Sequence, residues 1–154
     1  MCITGKEGTV VRDLLADDKE VFLSMVNSFY SSTAVAHNVD PQNFEITFNA
    51  ALDKSPFMRA LIIEDDCNPV GYALLSFTHS NEAGGLVVLI EELYIGEVCR
   101  GKGLGSKAIE FIEQEYPSAK RFRLEVRKEN KKAMDLYYRH GYKLLGYEQM
   151  VKDI

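Results

Sequence analysis

Apolar residues recur along the chain with two periods, and the switch from one to the other marks out its elements. Phe22, Met25, Val26 and Phe29 fall at i, i+3, i+4 and i+7, the spacing of a helix that buries one stripe, with Asp17 as its capping residue and an end near Ser31. A second helix starts at Asp40-Pro41, where an acid precedes a proline in the first helical position, and shows Phe44, Phe48, Ala51 and Leu52 on one face; Pro56 lies beyond its end. Residues 9–14 read as a short strand. Residues 59–64 and 70–78 read as two more, joined as a hairpin by the turn formers Asp65-Asp66-Cys67-Asn68-Pro69.

Residues 86–95 are the most strand-like stretch, rich enough in Val, Leu and Ile to lie centrally in a sheet. After a loop over 96–103, a helix over 104–116 carries Leu104, Ala108, Phe111 and Ile112 inward and stops at Pro117. Residues 121–126 form the next strand, and 130–140 form a helix with Ala133, Leu136 and Tyr137 on one side, closed by Gly141 in the position that favours glycine. Residues 142–152 are expected to close the sheet as a strand or hairpin. The order is strand, two helices, three strands, helix, strand, helix and one or two closing strands, an α/β fold with a mixed central β-sheet flanked by helices.

The 154 residues suffice for a single domain over 1–154, and 46% hydrophobic with 27% charged residues lies far from the composition of disordered chains. No apolar run approaches a membrane span and the first residues lack an apolar signal core, so a cytoplasmic protein with no membrane partner is expected. Cys2, Cys67 and Cys99 are odd in number without metal-ligand spacing and read as free thiols; His37, His79 and His140 are scattered, so no metal site is expected.

Charge is distributed unevenly. Residues 1–99 carry 5 Lys/Arg against 15 Asp/Glu, whereas residues 100–154 carry 13 against 8. This suits an anionic ligand on the C-terminal third and a small cationic one attracted by the rest, since charged clefts steer ligands of opposite sign; no nucleic-acid partner is called for.

Arg100-Gly101-Lys102-Gly103-Leu104-Gly105-Ser106 lies between the strongest strand and a good helix. Alternate glycines let the backbone approach a ligand and turn N–H groups towards it at a helix start, which makes an anion cradle with Arg100, Lys102 and Lys107 adding charge. Three phosphate loops compete for this stretch. Residues 96–102 fit the start of GxxxxGK[ST], but Gly103 stands where the magnesium-binding hydroxyl is needed. Residues 103–108 fit GxGxxG/A, with Glu125 near the ribose-binding offset, yet only 49 residues follow Gly105, too few for a dinucleotide domain.

The third, Arg-x-x-Gly-x-Gly over residues 100–105, resembles the pyrophosphate loop of the GCN5-related N-acetyltransferase (GNAT) family. Residues 90–95 resemble that family's fourth strand, and 130–142 are similar to its N-x-x-A-x-x-L-Y-x-x-x-G-F helix. The resemblance implies the acyl-CoA N-acyltransferase fold, acetyl-CoA as cosubstrate without metal, and acetyl transfer to a primary amine. A non-catalytic acyl-CoA sensor and a peptide or protein lysine acetyltransferase remain as alternatives. Members of the family often form homodimers.

By the same resemblance, Gly101, Lys102, Gly103, Leu104, Gly105 and Ser106 offer N–H groups to the pyrophosphate, and Arg100 supports the turn. Leu93, Tyr94 and Ile95 pair with the pantetheine arm where the fourth and fifth strands splay, one N–H serving as oxyanion hole. Asn130 binds the pantetheine or adenosine part, while Arg127, Lys128, Lys131 and Lys132 are candidates for the 3′-phosphate. Tyr137 matches the general acid. An alkyl ammonium near pKa 10.4 must lose a proton before attack, and Glu91 and Glu92 are the candidate bases. Strand alternation groups Glu91 with Leu89, Leu93 and Ile95 and groups Glu92 with Ile90 and Tyr94. The family match favours Glu91, with Glu92 second because a bulge would break that parity.

Overall fold

The structure, a computed structural model, describes residues 8–35 and 37–154. Its strands are β1 (Thr9–Asp13), β2 (Met58–Asp65), β3 (Asn68–Ser80), β4 (Gly85–Ile95) and β5 (Arg121–Leu124); its helices are α1 (Lys19–Tyr30), α2 (Gln42–Leu52), α3 (Leu104–Glu115) and α4 (Lys131–Arg139). The strands form one sheet in sequence order. β1 to β4 are antiparallel neighbours, and β5 joins β4 in parallel after the crossover through α3, so the sheet is mixed as expected.

Alternation along the strands feeds two cores. Ala60, Ile62 and Tyr72 pack with Phe22, Met25, Val26, Phe44 and Phe48 under α1 and α2. Leu61, Ala73, Leu75, Val88 and Ile90 pack with Ile112 of α3 on the opposite face. The apolar stripes of the helices and the period-2 pattern of the strands thus meet on both sides of the sheet.

The first helix is capped one residue later than predicted. Asp18, not Asp17, is the N-cap residue, and its carboxylate turns back to accept from the Leu15 N–H at 2.8 Å and from both terminal nitrogens of Arg12 at 2.7 and 2.9 Å. Arg12 also donates to Glu64 at 2.8 Å, so one guanidinium ties β1, the end of β2 and the entry to α1. Burial pushes the Asp18 carboxyl up, but the Arg12 and Leu15 hydrogen bonds together outweigh it and hold Asp18 below its ordinary value.

Two expectations are corrected. Residues 142–152 form no strand: among the described residues β5 has only β4 as a neighbour, and Leu144 and Met150 are 73% and 99% exposed. The adjacent Leu144-Leu145 pair followed by Gly146 breaks the period-2 pattern that a sheet edge would select. Cys67 is bonded in a disulfide rather than free; Cys99 is free, and Cys2 lies outside the described residues. Among the described residues, no helix is long and apolar enough to cross a membrane.

Removing the carboxylate in Asp18→Ala strands Arg12 and the Leu15 N–H, and is expected to cost about 1–3 kcal/mol in urea unfolding at pH 7. Because Asp18 is held low, its contribution is present above pH ~4 and fades as pH falls below that, so the gap between the two proteins should narrow in acid. A gap that is constant with pH would show that the charge is not what stabilises this corner.

Candidate active site

β4 and β5 pair only from Val87↔Arg121 to Ile90↔Leu124. Beyond Ile90 the two strands part, while β3 continues to hold β4 as far as Ile95↔Gly71. Alternate N–H and C=O groups of Glu91 to Ile95 are thereby left facing a fork in the sheet, free to pair with an extended ligand.

The glycine turn follows at the end of β4. Gly101 and Gly103 have φ of 78° and 79°, a left-handed conformation that glycine adopts without penalty, and Gly103 is the N-cap of α3 with no side chain capping the helix. The N–H groups of Leu104, Gly105 and Ser106 consequently take no hydrogen bond among the described residues; the Lys107 N–H is the first to bond, to the Gly103 carbonyl at 3.1 Å. These unpaired donors at a helix start suit a polyanionic group such as a pyrophosphate.

The cations of the turn reach neighbouring protein atoms. Arg100 donates to the Ile95 carbonyl at 2.8 Å and stands over the Tyr94 ring, pinning the turn against the end of β4. Lys102 pairs with Asp65 at 3.9 Å, and Lys107 reaches the Thr9 hydroxyl at 2.8 Å. Gly105 has a second duty: a Cβ there would meet Leu136 at 3.1 Å, so its absence lets α3 and α4 approach. Ser106 Oγ and His140 Nε2 lie 2.9 Å apart across the same contact. Asn130 caps α4, its Oδ1 accepting from the Ala133 N–H at 3.3 Å. Arg127 donates to the carbonyls of Thr33 and Val35, holding the segment after α1 and leaving Lys128, Lys131 and Lys132 as the cations of that rim without an ion pair among the described residues.

The two carboxylates depart from simple alternation. Leu74 pairs with Glu92 and Leu75 with Ile90, so Glu91 is an extra residue bulged out of β4. Ile90 and Leu93 both face the α3 core, and Glu92 and Tyr94 face the α1/α2 side. The predicted grouping of Glu92 with Ile90, and of Glu91 with Leu93, is therefore overturned by the bulge. Glu91 is exposed and accepts from Ser76 at 2.5 Å; Ser76 is two residues from Leu74 on the α1/α2 side, so both carboxylates lie on one face.

Glu92 is only 9% exposed, and its two oxygens accept from Tyr30 at 2.5 Å and Tyr72 at 2.6 Å. Burial raises its pKa above the ordinary carboxyl value, the two hydroxyl donors pull it back, and the neighbouring Glu91 charge adds to the rise. Neither tyrosine stood out in the sequence. Tyr30 extends the α1 stripe eight residues past Phe22, and Tyr72 reads as an ordinary strand residue.

Tyr137 lies on α4 and lines a groove of about 630 Å³ together with Leu124, Glu125, Val126, Met134 and Tyr142. Its hydroxyl has no hydrogen-bond partner among the described residues, and burial pushes its pKa up to about 12, which keeps it protonated at neutral pH. Tyr138 is half exposed.

Known proteins share this architecture. The thialysine N-epsilon-acetyltransferase of Sus scrofa is 35% identical over 94 residues, 54% of this chain and 55% of that protein. The enzyme of the same name from Mus musculus is 27% identical over 154 residues, 94% of this chain and 86% of its own. In the first two curated relatives it matches, the chain spans 55% and 61% of their length. Among solved structures, a possible acetyltransferase from Clostridium difficile 630 superposes with a TM-score of 0.79 at 17% identity, covering 96% of this chain and 99% of that one. A predicted acetyltransferase with acetyl-CoA from Clostridium acetobutylicum superposes with a TM-score of 0.75 at 15% identity, covering 94% and 96%. The model of the acetyltransferase (GNAT) family matches residues 22–142, running from α1 through the forked sheet to the end of α4, and the chain belongs to that family.

Proposed function

We propose that the chain is an acetyl-CoA-dependent N-acetyltransferase that passes the acetyl group directly to the primary amine of a small cationic molecule. The observation that carries this reading is the fork between β4 and β5, which opens beside the uncapped glycine turn of α3. A ligand with a pyrophosphate at one end and an amide-bearing arm at the other matches both features, and acetyl-CoA supplies in addition an acetyl group activated as a thioester.

The N–H groups of Leu104, Gly105 and Ser106 seat the pyrophosphate, with Gly101, Lys102 and Gly103 shaping the turn and Arg100 bracing it. Leu93, Tyr94 and Ile95 offer main-chain partners to the arm, and Asn130, whose Nδ2 is unbonded among the described residues, can add another. Glu91, exposed on its bulge, takes the proton of the attacking ammonium directly or through water. Tyr137 donates to the departing sulfur; its raised pKa keeps the proton available. The names of the relatives, enzymes acting on the ε-amine of thialysine, agree with a small cationic acceptor.

Release of free thiol from acetyl-CoA in the presence of a panel of primary amines tests the reading. No turnover with any amine, with acetyl-CoA still binding, would leave a sensor in place of an enzyme; failure to bind acetyl-CoA would remove both. Tyr137→Phe is expected to lower kcat by roughly 10²- to 10⁴-fold with little change in acetyl-CoA affinity, and an unchanged kcat would take Tyr137 out of the mechanism. Gly103→Ala forces a left-handed alanine at a cost of about 1–2 kcal/mol and should weaken acetyl-CoA binding in calorimetric titration without abolishing the fold.

The charge state of Glu92 has its own signature in stability. Its folded pKa is raised, so its ionisation works against the fold: its contribution is most favourable in acid and declines as pH climbs from the ordinary value of 4.5 through the folded one. Relative to Glu92→Gln, the unsubstituted protein should therefore lose thermal stability across that window and change little above it. A relative gain instead would mean that Glu92 is stabilised as an anion.

A further inference from the structure

We propose that His140 is a positioning residue for the cofactor's pyrophosphate: its ring nitrogen holds the Ser106 hydroxyl so that this hydroxyl joins the N–H groups of the glycine turn as a side-chain donor. This rests on the reading of the turn as an acetyl-CoA site and adds to that site a residue from the far end of α4.

The first turn of α3 and the last turn of α4 meet through two neighbouring pairs. A Cβ at Gly105 would meet Leu136 at 3.1 Å, and the next residue, Ser106, has its Oγ 2.9 Å from His140 Nε2. Leu136 and His140 are four apart and share one face of α4, so the approach that Gly105 permits brings the imidazole to the serine. The backbone of His140 is fixed as well. It is the C-cap residue of α4, and its N–H donates to the Leu136 and Tyr137 carbonyls at 3.3 and 3.1 Å.

Ser106 is the third residue of α3, and its own N–H is one of the three left unpaired at the turn. A hydroxyl has one proton to give and two lone pairs, and among the described residues its partner is His140. Two arrangements satisfy that contact. If the serine proton goes to Nε2, only lone pairs are left for a ligand, and they oppose an anion. If Nε2–H donates to Oγ, the serine proton is released. Phosphate oxygens carry charge and accept, so an anion at the turn selects the second arrangement, which His140 supplies as the neutral Nε2–H tautomer or as the cation.

Neighbouring charges leave the imidazole to this role. Glu113, Arg121, Arg123, Glu125 and Lys143 line the groove beside it, and none of them forms an ion pair with His140 among the described residues. Ser106 and His140 are both half-buried, where a hydrogen bond to a charged group is stronger than in water.

Calorimetric titration with coenzyme A tests the pairing. Ser106→Ala and His140→Phe should each weaken binding by about 10- to 100-fold, the range for a lost hydrogen bond to a charged group. The double variant should be no weaker than either single one, because both remove the same donor. His140→Gln, whose amide still donates, should bind within about 3-fold of the unsubstituted protein. In acetyl transfer the losses should fall on KM for acetyl-CoA, with kcat/KM for S-acetylpantetheine, which has no pyrophosphate, unchanged. Losses that add in the double variant, a His140→Gln as weak as His140→Phe, or equal losses on both thioesters would make the contact one of helix packing and overturn the inference. Should His140→Phe fail to fold, Ser106→Ala with and without His140→Gln carries the same comparison. If the unsubstituted protein does not bind coenzyme A, the reading of the turn falls and this inference with it; binding that is indifferent to Ser106 and His140 overturns this inference alone.

Discussion

One extra residue in β4, accommodated opposite the Leu74-Leu75 step of β3, governs where this protein places its negative charge. In an unbroken strand Glu91 and Glu92 would point to opposite faces, and one of them would enter a core. With the bulge, Ile90 and Leu93 stay on the α3 side and both acids turn to the α1/α2 side. A bulge also bends its strand and increases the local twist. The last residue of β4 paired to β5 is Ile90, directly before it, so the fork that could receive an extended cofactor opens where the strand changes course.

Among the described residues, two buried carboxylates have opposite settings. Asp18 meets a guanidinium and a backbone N–H and is held low, a closed arrangement that joins β1 to α1. Glu92 meets two phenol hydroxyls and is pushed up, with a cavity at its side. Hydroxyls orient a carboxylate without cancelling its charge, whereas Arg12 does both. The first pattern serves stability, and the second leaves a group able to respond to what enters the pocket. The acidic balance of residues 1–99 adds a diffuse attraction for cations towards that side.

Most of the fold was legible because punctuation and periodicity agreed. Pro41 and Pro56 bracket α2, Pro117 follows α3, and the Phe22-Met25-Val26-Phe29 stripe lies as read. The glycine turn was legible for the same reason, since few other functions require three alternate glycines between strand and helix. The bulge was not, because it depends on how β3 registers against β4, which neither strand states alone. Tyr30 and Tyr72 escaped notice because each looks like packing until Glu92 arrives between them. Residues 142–152 misled in the other direction: apolar content suggested a strand, but the Leu144-Leu145-Gly146 sequence gives no consistent face to bury. Arg100 was read as supporting the turn and does brace it against the Ile95 carbonyl; Lys102 and Lys107, read as adding charge to an anion cradle, reach Asp65 and Thr9, partners that only the packing of β1 and β2 beside the turn reveals.

The missing side chain at Gly105 has a mechanical result. α3 and α4 meet where Leu136 lies against that glycine, at the start of one helix and the middle of the other. Tyr137 is the next residue after Leu136, so a hydroxyl on α4 and the amides that open α3 share one frame of reference. A methyl group at position 105 would press on the Leu136 side chain at 3.1 Å and so change the offset between that hydroxyl and those amides.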